Sequence, residues 1–160
     1  MLFSDSVMCV REERNAAAPP MLFSRGQKRP LFSGAASKVI LAHLPPHQLR
    51  SLYAKHRRTI ALSGLGADWD IFRTTLRQIR EHGYCVTVGE FSSGIVGIAA
   101  PVFNRAGKVL GSLGLAMAKS AVQRSQYATL ARAVTKAAQD VTQRVSSAEH
   151  GVDLPARAVG

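Results

Sequence analysis

Apolar positions along the chain fall into blocks of differing period, and each change of period marks an element. Ser6 to Glu13 ("SVMCVREE") is apolar and β-branched before it turns polar, the pattern of a strand. Asn15 to Pro20 reads as a loop, Met21 to Phe23 as a short strand, and Ser24 to Pro30 ("SRGQKRP") as a turn-rich connection. Ala35 to Leu44 ("AASKVILAHL") reads as a helix, opened at Ser33 or Gly34 and stopped by Pro45 and Pro46. Proline suits a first helical turn, so a second, short helix is expected from Pro46 to near Tyr53, with a loop over Arg58 to Asp68. Trp69, Phe72, Leu76 and Ile79 then share one helical face, with Asp68 placed to cap it and Gly83 to end it. Tyr84 to Val88 is a strand. Leu130, Val134, Ala137, Val141 and Val145 line one face of a long last helix, with Arg124, Arg132, Lys136 and Arg144 outside it. Strands, helices, three strands and a helix make an α+β domain: an antiparallel sheet with helices packed on it. One domain is expected over residues 1–146 and a disordered tail over 147–160, where periodicity is lost.

The most informative stretch is Gly94 to Met117, two apolar strands around a turn. If Asn104 to Gly107 is a four-residue connection, Phe103 pairs with Lys108 and the register fixes both faces. One face then carries Val96, Ile98, Ala100 and Val102 beside Leu115, Leu113, Gly111 and Val109, bulky enough for a core. The other carries Ile95, Gly97, Ala99 and Pro101 beside Ala116, Gly114, Ser112 and Leu110, with Gly97 and Gly114 as cross-strand neighbours. Glycine weakens a strand, so something must approach this bare face closely. Two readings stay open: a helix or other backbone packs against it, or it is the floor of a small-molecule pocket.

Composition narrows the function. At 46% hydrophobic, 160 residues can bury a core. The net charge of +11 suggests an acidic partner, but the cations are dispersed. Only "KHRR" (Lys55 to Arg58) is dense, and it is expected in a solvated loop. No aromatic residues interleave with the cations for base stacking, so direct nucleic-acid binding is not expected. Cys9 and Cys85 make no disulfide framework, no signal peptide is evident, and the apolar runs are broken short of membrane-spanning length. A cytoplasmic protein without membrane contact is expected. There is no nucleophile elbow, zinc-protease helix, P-loop or dinucleotide fingerprint, and the five histidines match no metal-ligand spacing. No catalytic residue, metal or cofactor is therefore assigned, and the chain is not expected to be an enzyme. Each histidine is read as a surface or capping residue, and Cys85 as a buried inert thiol.

Gly83 to Ser120 ("GYCVTVGEFSSGIVGIAAPVFNRAGKVLGSLGLAMAKS") resembles the second half of the effector-binding domain of IclR-type bacterial transcription regulators. The shared features are a GY strand, a stretch ending in Glu, "IAAPVF", a glycine turn and a strand closing in small residues. Gly26 to Pro45 is similar to the same family's basic-Pro-Leu stretch leading into a helix with lysine near its start, and the resemblance runs from about Val7 to Val145. It implies a GAF-like fold, a small-molecule effector pocket and a homo-oligomer, dimer or tetramer. In the family the domain follows a DNA-binding winged helix-turn-helix. That domain, a linker helix and the first sensor strand have no counterpart in this sequence, so the resemblance implies an N-terminally incomplete domain.

By position the resemblance implies effector contacts from Met21, from Ala35 and Ala36 at a helix start, from Thr87, and from Ile95, Gly97, Gly114 and Ala116 on the hairpin. Ser33 and Ser37 would add polar contacts. Members that bind small oxo-acids carry thiol or hydroxyl groups where this chain has Gly97, Gly114 and Ala116. Hydrogen or methyl there favours a larger or more apolar ligand, such as an aromatic acid. Phe32 and Ser37 also depart from the family's usual His and Gly. The function implied is non-catalytic effector sensing; the alternative is an interaction module that no longer senses a ligand.

Overall fold

The protein is described from a computed structural model covering residues 1–3, 6–15, 24–90 and 92–150; the strand expected over Met21 to Phe23 lies outside them. Strands β1 (Leu2–Phe3), β2 (Ser6–Met8) and β3 (Lys28–Pro30) form one antiparallel sheet in the order β1-β2-β3. The expected first strand is thus cut to Ser6–Met8. The connection expected over residues 24–30 instead supplies β3, whose Pro30 is tolerated because β3 is an edge strand. Strands β4 (Cys85–Val88), β5 (Ile95–Phe103) and β6 (Val109–Ala118) form a second antiparallel sheet with β5 central. The single expected sheet is therefore two, which meet where Met1 lies against Gly111: a Cβ on that glycine would stand 3.1 Å from Met1 Cα.

Among the described residues, four α-helices pack with the sheets. Helix α1 (Ala35–Ala42) buries every residue but Ala36, as a helix at the centre of a domain must. Helix α2 (Pro46–Leu62) runs well past the expected end at Tyr53, so "KHRR" is helical and not a loop. Its core face is Leu49, Leu52, Tyr53 and Ile60, and the break in that stripe is His56, where the helix kinks. Helix α3 (Trp69–His82) has the expected ends: the Asp68 carboxylate accepts from the Ile71 N–H, and Gly83 takes a left-handed conformation at φ 74°. Helix α4 (Tyr127–His150) continues through residues 147–150, where a tail was expected. Among the described residues no helix is long and apolar enough to cross a membrane.

The hairpin register differs from the expected one. Lys108 belongs to the turn, where its carbonyl accepts from the Asn104 N–H, and Phe103 pairs with Val109. Val102 pairs with Gly111, so Leu110 is the extra residue of a bulge. Beyond the bulge the register is displaced by two residues: Gly97 faces Ala116, and Gly114 faces Ala99. Gly97 and Gly114 are therefore diagonal neighbours. An even displacement leaves each residue on its expected face, except near the turn, where the bulge sends Val109 to the opposite side to pack with Phe103.

Val96, Ile98, Ala100 and Val102 pack under Ala131, Val134 and Ala138 of α4. Leu115, expected in that core, is 41% exposed. The opposite face, with Cys85, Ala99 and Gly97, lies under α1.

Candidate functional site

The site is built around the start of α1. Gly34 precedes the helix at φ 82°, a conformation that a side chain would strain. The freed N–H groups of the first turn have partners from the β4–β5 region. The Ala35 N–H donates to Thr87 Oγ1 at 3.1 Å, and the Gly34 N–H donates to Glu90 Oε2 at 2.7 Å. A carboxylate at a helix N-terminus is favoured by the exposed N–H groups and the helix dipole together.

Glu90 has a second partner. Its Oε1 stands 2.6 Å from Lys38 Nζ, which also donates to the Ser63 carbonyl at 2.8 Å. The Lys38 side chain is 7% exposed and that of Glu90 26%, so the pair is shielded on the lysine side and open on the carboxylate side. One cluster thus ties α1, the end of α2 and the loop after β4 together. Burial is the larger influence on the neighbouring Cys85 thiol and, despite the opposing pull of Lys38, raises it to about 11. The thiol is buried, as expected.

Gly97 explains the bare face at its centre. A Cβ there would meet Thr87 Oγ1 at 3.1 Å and Ala35 Cβ at 3.6 Å, so the missing side chain is what lets α1 settle on the sheet. Ser112 anchors the same helix by donating from Oγ to the Ala36 carbonyl at 3.0 Å. Ala35, Thr87 and Gly97 are therefore in mutual contact. Farther along, the face opens: Ile95 and Gly97 are half-buried, and Gly114 and Ala116 are exposed. Met21 lies outside the described residues. Of the serines expected to add polar contacts, Ser37 is buried and Ser33 half-buried.

A cleft of about 390 Å³ opens beside the cluster between α3 and β4, lined by Lys38, Leu65, Gln78, Ile79, Thr87 and Glu90 among others. Among the described residues, Thr87 is the one expected contact that reaches it. Sequence reasoning missed Glu90 and Lys38 as site residues. Both stood in view, Glu90 in "GEFSSG" and Lys38 near the start of the α1 helix, but they are 52 residues apart and only the fold joins them.

Comparison with known proteins identifies the family of the chain. Residues 1–143 match the family described as bacterial transcriptional regulator IclR C-terminal. The HTH-type transcriptional regulator XynR of Escherichia coli is 28% identical over 103 residues, 64% of this chain and 41% of XynR. The chain thus spans less than half the length of that relative. Among solved structures, the C-terminal domain of a transcriptional regulator from Vibrio cholerae superposes with a TM-score of 0.73 at 28% identity, covering 86% of this chain and 80% of that one. The C-terminal domain of E. coli KdgR gives 0.74 at 21% identity, covering 91% and 84%, a likeness of fold.

Proposed function

The chain belongs to the bacterial transcriptional regulator IclR C-terminal family, and from that premise we propose that it is a non-catalytic sensor of a small organic acid, with an aromatic carboxylate as the favoured class. The observation that carries the reading is the join of two unlike surfaces. Polar groups at the start of α1 (the Gly34 and Ala35 N–H groups, Thr87, and Lys38 with its carboxylate partner) border a strand floor almost free of side-chain volume. Such a join suits a ligand with one anionic end, which takes the place of the Glu90 carboxylate at the Gly34 N–H and Lys38, and one flat apolar body. Gly97, Gly114 and Ala116 offer the body no hydroxyl or thiol. Ala35, Ala36, Thr87, Ile95, Gly97, Gly114 and Ala116 remain the proposed contacts, with Lys38 and Glu90 added. A homo-oligomer and a role in transcription regulation belong to the same reading.

Thermal-shift and calorimetric titration with benzoate, 4-hydroxybenzoate and small aliphatic acids tests it. An aromatic acid is expected to raise the melting temperature more than an aliphatic one. Ala116→Leu is the blocking variant: Ala116 is exposed, so the leucine fills the floor without straining the fold. Gly97→Leu is unsuitable, because it would drive into Thr87 and Ala35. The expected result is at least a tenfold loss of affinity, about 1.4 kcal/mol, at an unchanged melting temperature. A folded protein that no acid stabilises would contradict the reading.

A further inference from the structure

We propose that the cleft between α3 and β4 binds a small, neutral, planar cyclic amide of the pyrimidine kind, read by the backbone of Val86. The cleft, of about 390 Å³, touches four consecutive residues, Tyr84, Cys85, Val86 and Thr87. Side chains alternate between faces along a strand. Cys85 and Thr87 are on the α1 side, with Ala99 and Gly97, and Tyr84 and Val86 pack toward α4. A space that touches all four must therefore run along the edge of the strand, where the backbone lies. In the order β4-β5-β6 this edge has no strand beyond it. Met1 lies against the other outer strand, at Gly111 of β6.

Hydrogen-bond phase decides which groups this edge presents. The Gly89 N–H donates to the Ile95 carbonyl. In the observed register Thr87 with Gly97 and Cys85 with Ala99 follow at steps of two, so these pairs exchange hydrogen bonds. The Lys119 N–H donates to the Gly94 carbonyl, which turns Val96, and with it Ile98, toward β6 and away from β4. Val86, the partner of Ile98, therefore turns both its N–H and its C=O off the edge and into the cleft. Neither group has a partner among the described residues.

The chemistry of the lining selects the occupant. A donor and an acceptor on one residue, turned the same way, match a ligand that carries N–H beside C=O on one edge. A cyclic amide holds that pair fixed, so no internal rotation is lost on binding. Gln78 on the facing wall adds a carboxamide, and Leu65 and Ile79 add apolar surface. Lys38 and Glu90, at the Thr87 end, are paired with each other at 2.6 Å and neutralise one another, which favours a neutral ligand over an ion. With α3 as its second wall, the cleft has the size of a small-molecule site and not of an open edge for another strand. The organic-acid reading uses the start of α1 and the hairpin floor. The two sites share Thr87 and the Lys38–Glu90 pair and nothing else.

Nuclear magnetic resonance of the ¹⁵N-labelled 160-residue chain, titrated with uracil and separately with 1,3-dimethyluracil, tests the site. Uracil is expected to give saturable shifts of the Val86 amide and the Gln78 side-chain amide, with Gly114 and Ala116 unmoved. Dimethyluracil keeps the shape but lacks both N–H groups, and it should bind at least tenfold more weakly. Gln78→Trp, at an exposed position, should fill the cleft and abolish uracil binding, with circular dichroism as the check of folding. Three results would each overturn the proposal: no saturable shift with uracil in the folded wild type, equal binding of dimethyluracil, or uracil shifts confined to Gly114 and Ala116. A blocked Val-Thr-Val-Thr peptide that shifts Val86 where uracil does not would overturn it in favour of strand addition. Failure of every organic acid to bind would leave these expectations as they stand.

Discussion

The two faces of the β4–β6 sheet solve the same packing problem in opposite ways. Toward α4 the sheet presents Val96, Ile98 and Val102, and the helix replies with small residues, Ala131 and Ala138, around Val134. Toward α1 the sheet is the small partner: Ala99 and Gly97 receive a helix that carries Val39 and Ala35. On the first side side-chain volume fills the gap. On the second the gap is removed, and backbone approaches backbone closely enough for the Ala35 N–H to reach Thr87. The lesson is that a face without side chains is not thereby empty. Its bareness lets a polar helix end reach the sheet, and only beyond that end does the face open to solvent.

The contrast can be broken first by changing volume. Ile98→Ala is expected to cost about 3 kcal/mol through lost burial and a residual cavity under α4. On the other face, Ala99→Leu should cost about 2 kcal/mol, because the added atoms must push α1 away. Urea unfolding checks both, and an Ala99→Leu protein as stable as wild type would show that α1 is not closely held. The polar join should be next in size. Glu90→Gln leaves the Lys38 ammonium buried without a counter-charge and is expected to cost about 2 kcal/mol, below the range for a fully buried pair because Glu90 is partly exposed. Lys38→Met, which removes the buried charge itself, should cost less than Glu90→Gln. The reverse order would mean that the pair does not act as the hinge between α1 and the loop.

The smallest effect concerns pH. His43 caps the C-terminal end of α1 and rests its ring against Phe103. Burial holds its imidazole below the usual value; the Val39 carbonyl, hydrogen-bonded to Nδ1, opposes this and nearby Arg80 reinforces it. The unfolded chain therefore takes up the proton at higher pH than the folded one. The resulting stability is present above about pH 6.5 and is lost as pH falls from there toward the folded-state value. Urea midpoints measured between pH 5 and pH 8 should decline on the acid side, and His43→Gln should flatten that decline. An unchanged slope in the variant would assign the effect to another group.

Much of this was legible in the sequence, and the failures have identifiable causes. Helix α3 could be placed from both ends because its stripe, its Asp68 cap and its Gly83 stop all agree. Helix α2 was undervalued because His56 interrupts its stripe and four cations in the 46–62 segment imitate a solvated loop; burial of Leu49 and Ile60 outweighs both. The β5–β6 faces were right except at Val109 and their register was off by two, since a turn lengthened by Lys108 and a bulge at Leu110 leave no mark on apolar alternation. The bare face could be read from Gly97, Gly114 and Ala116. The partners that make it a site, Glu90 and Lys38, could not, because no local pattern relates residues so far apart in the chain.

Two-dimensional nuclear magnetic resonance of the ¹⁵N-labelled chain, titrated with 4-hydroxybenzoate, tests the central claim most directly. The sensing account predicts saturable shifts of the Gly34, Ala35 and Thr87 amides at the polar end and of Gly97, Gly114 and Ala116 along the floor, with Ile98 and Val134 on the α4 side unmoved. Absence of shifts in a folded protein, or shifts confined to the α4 side, would contradict it.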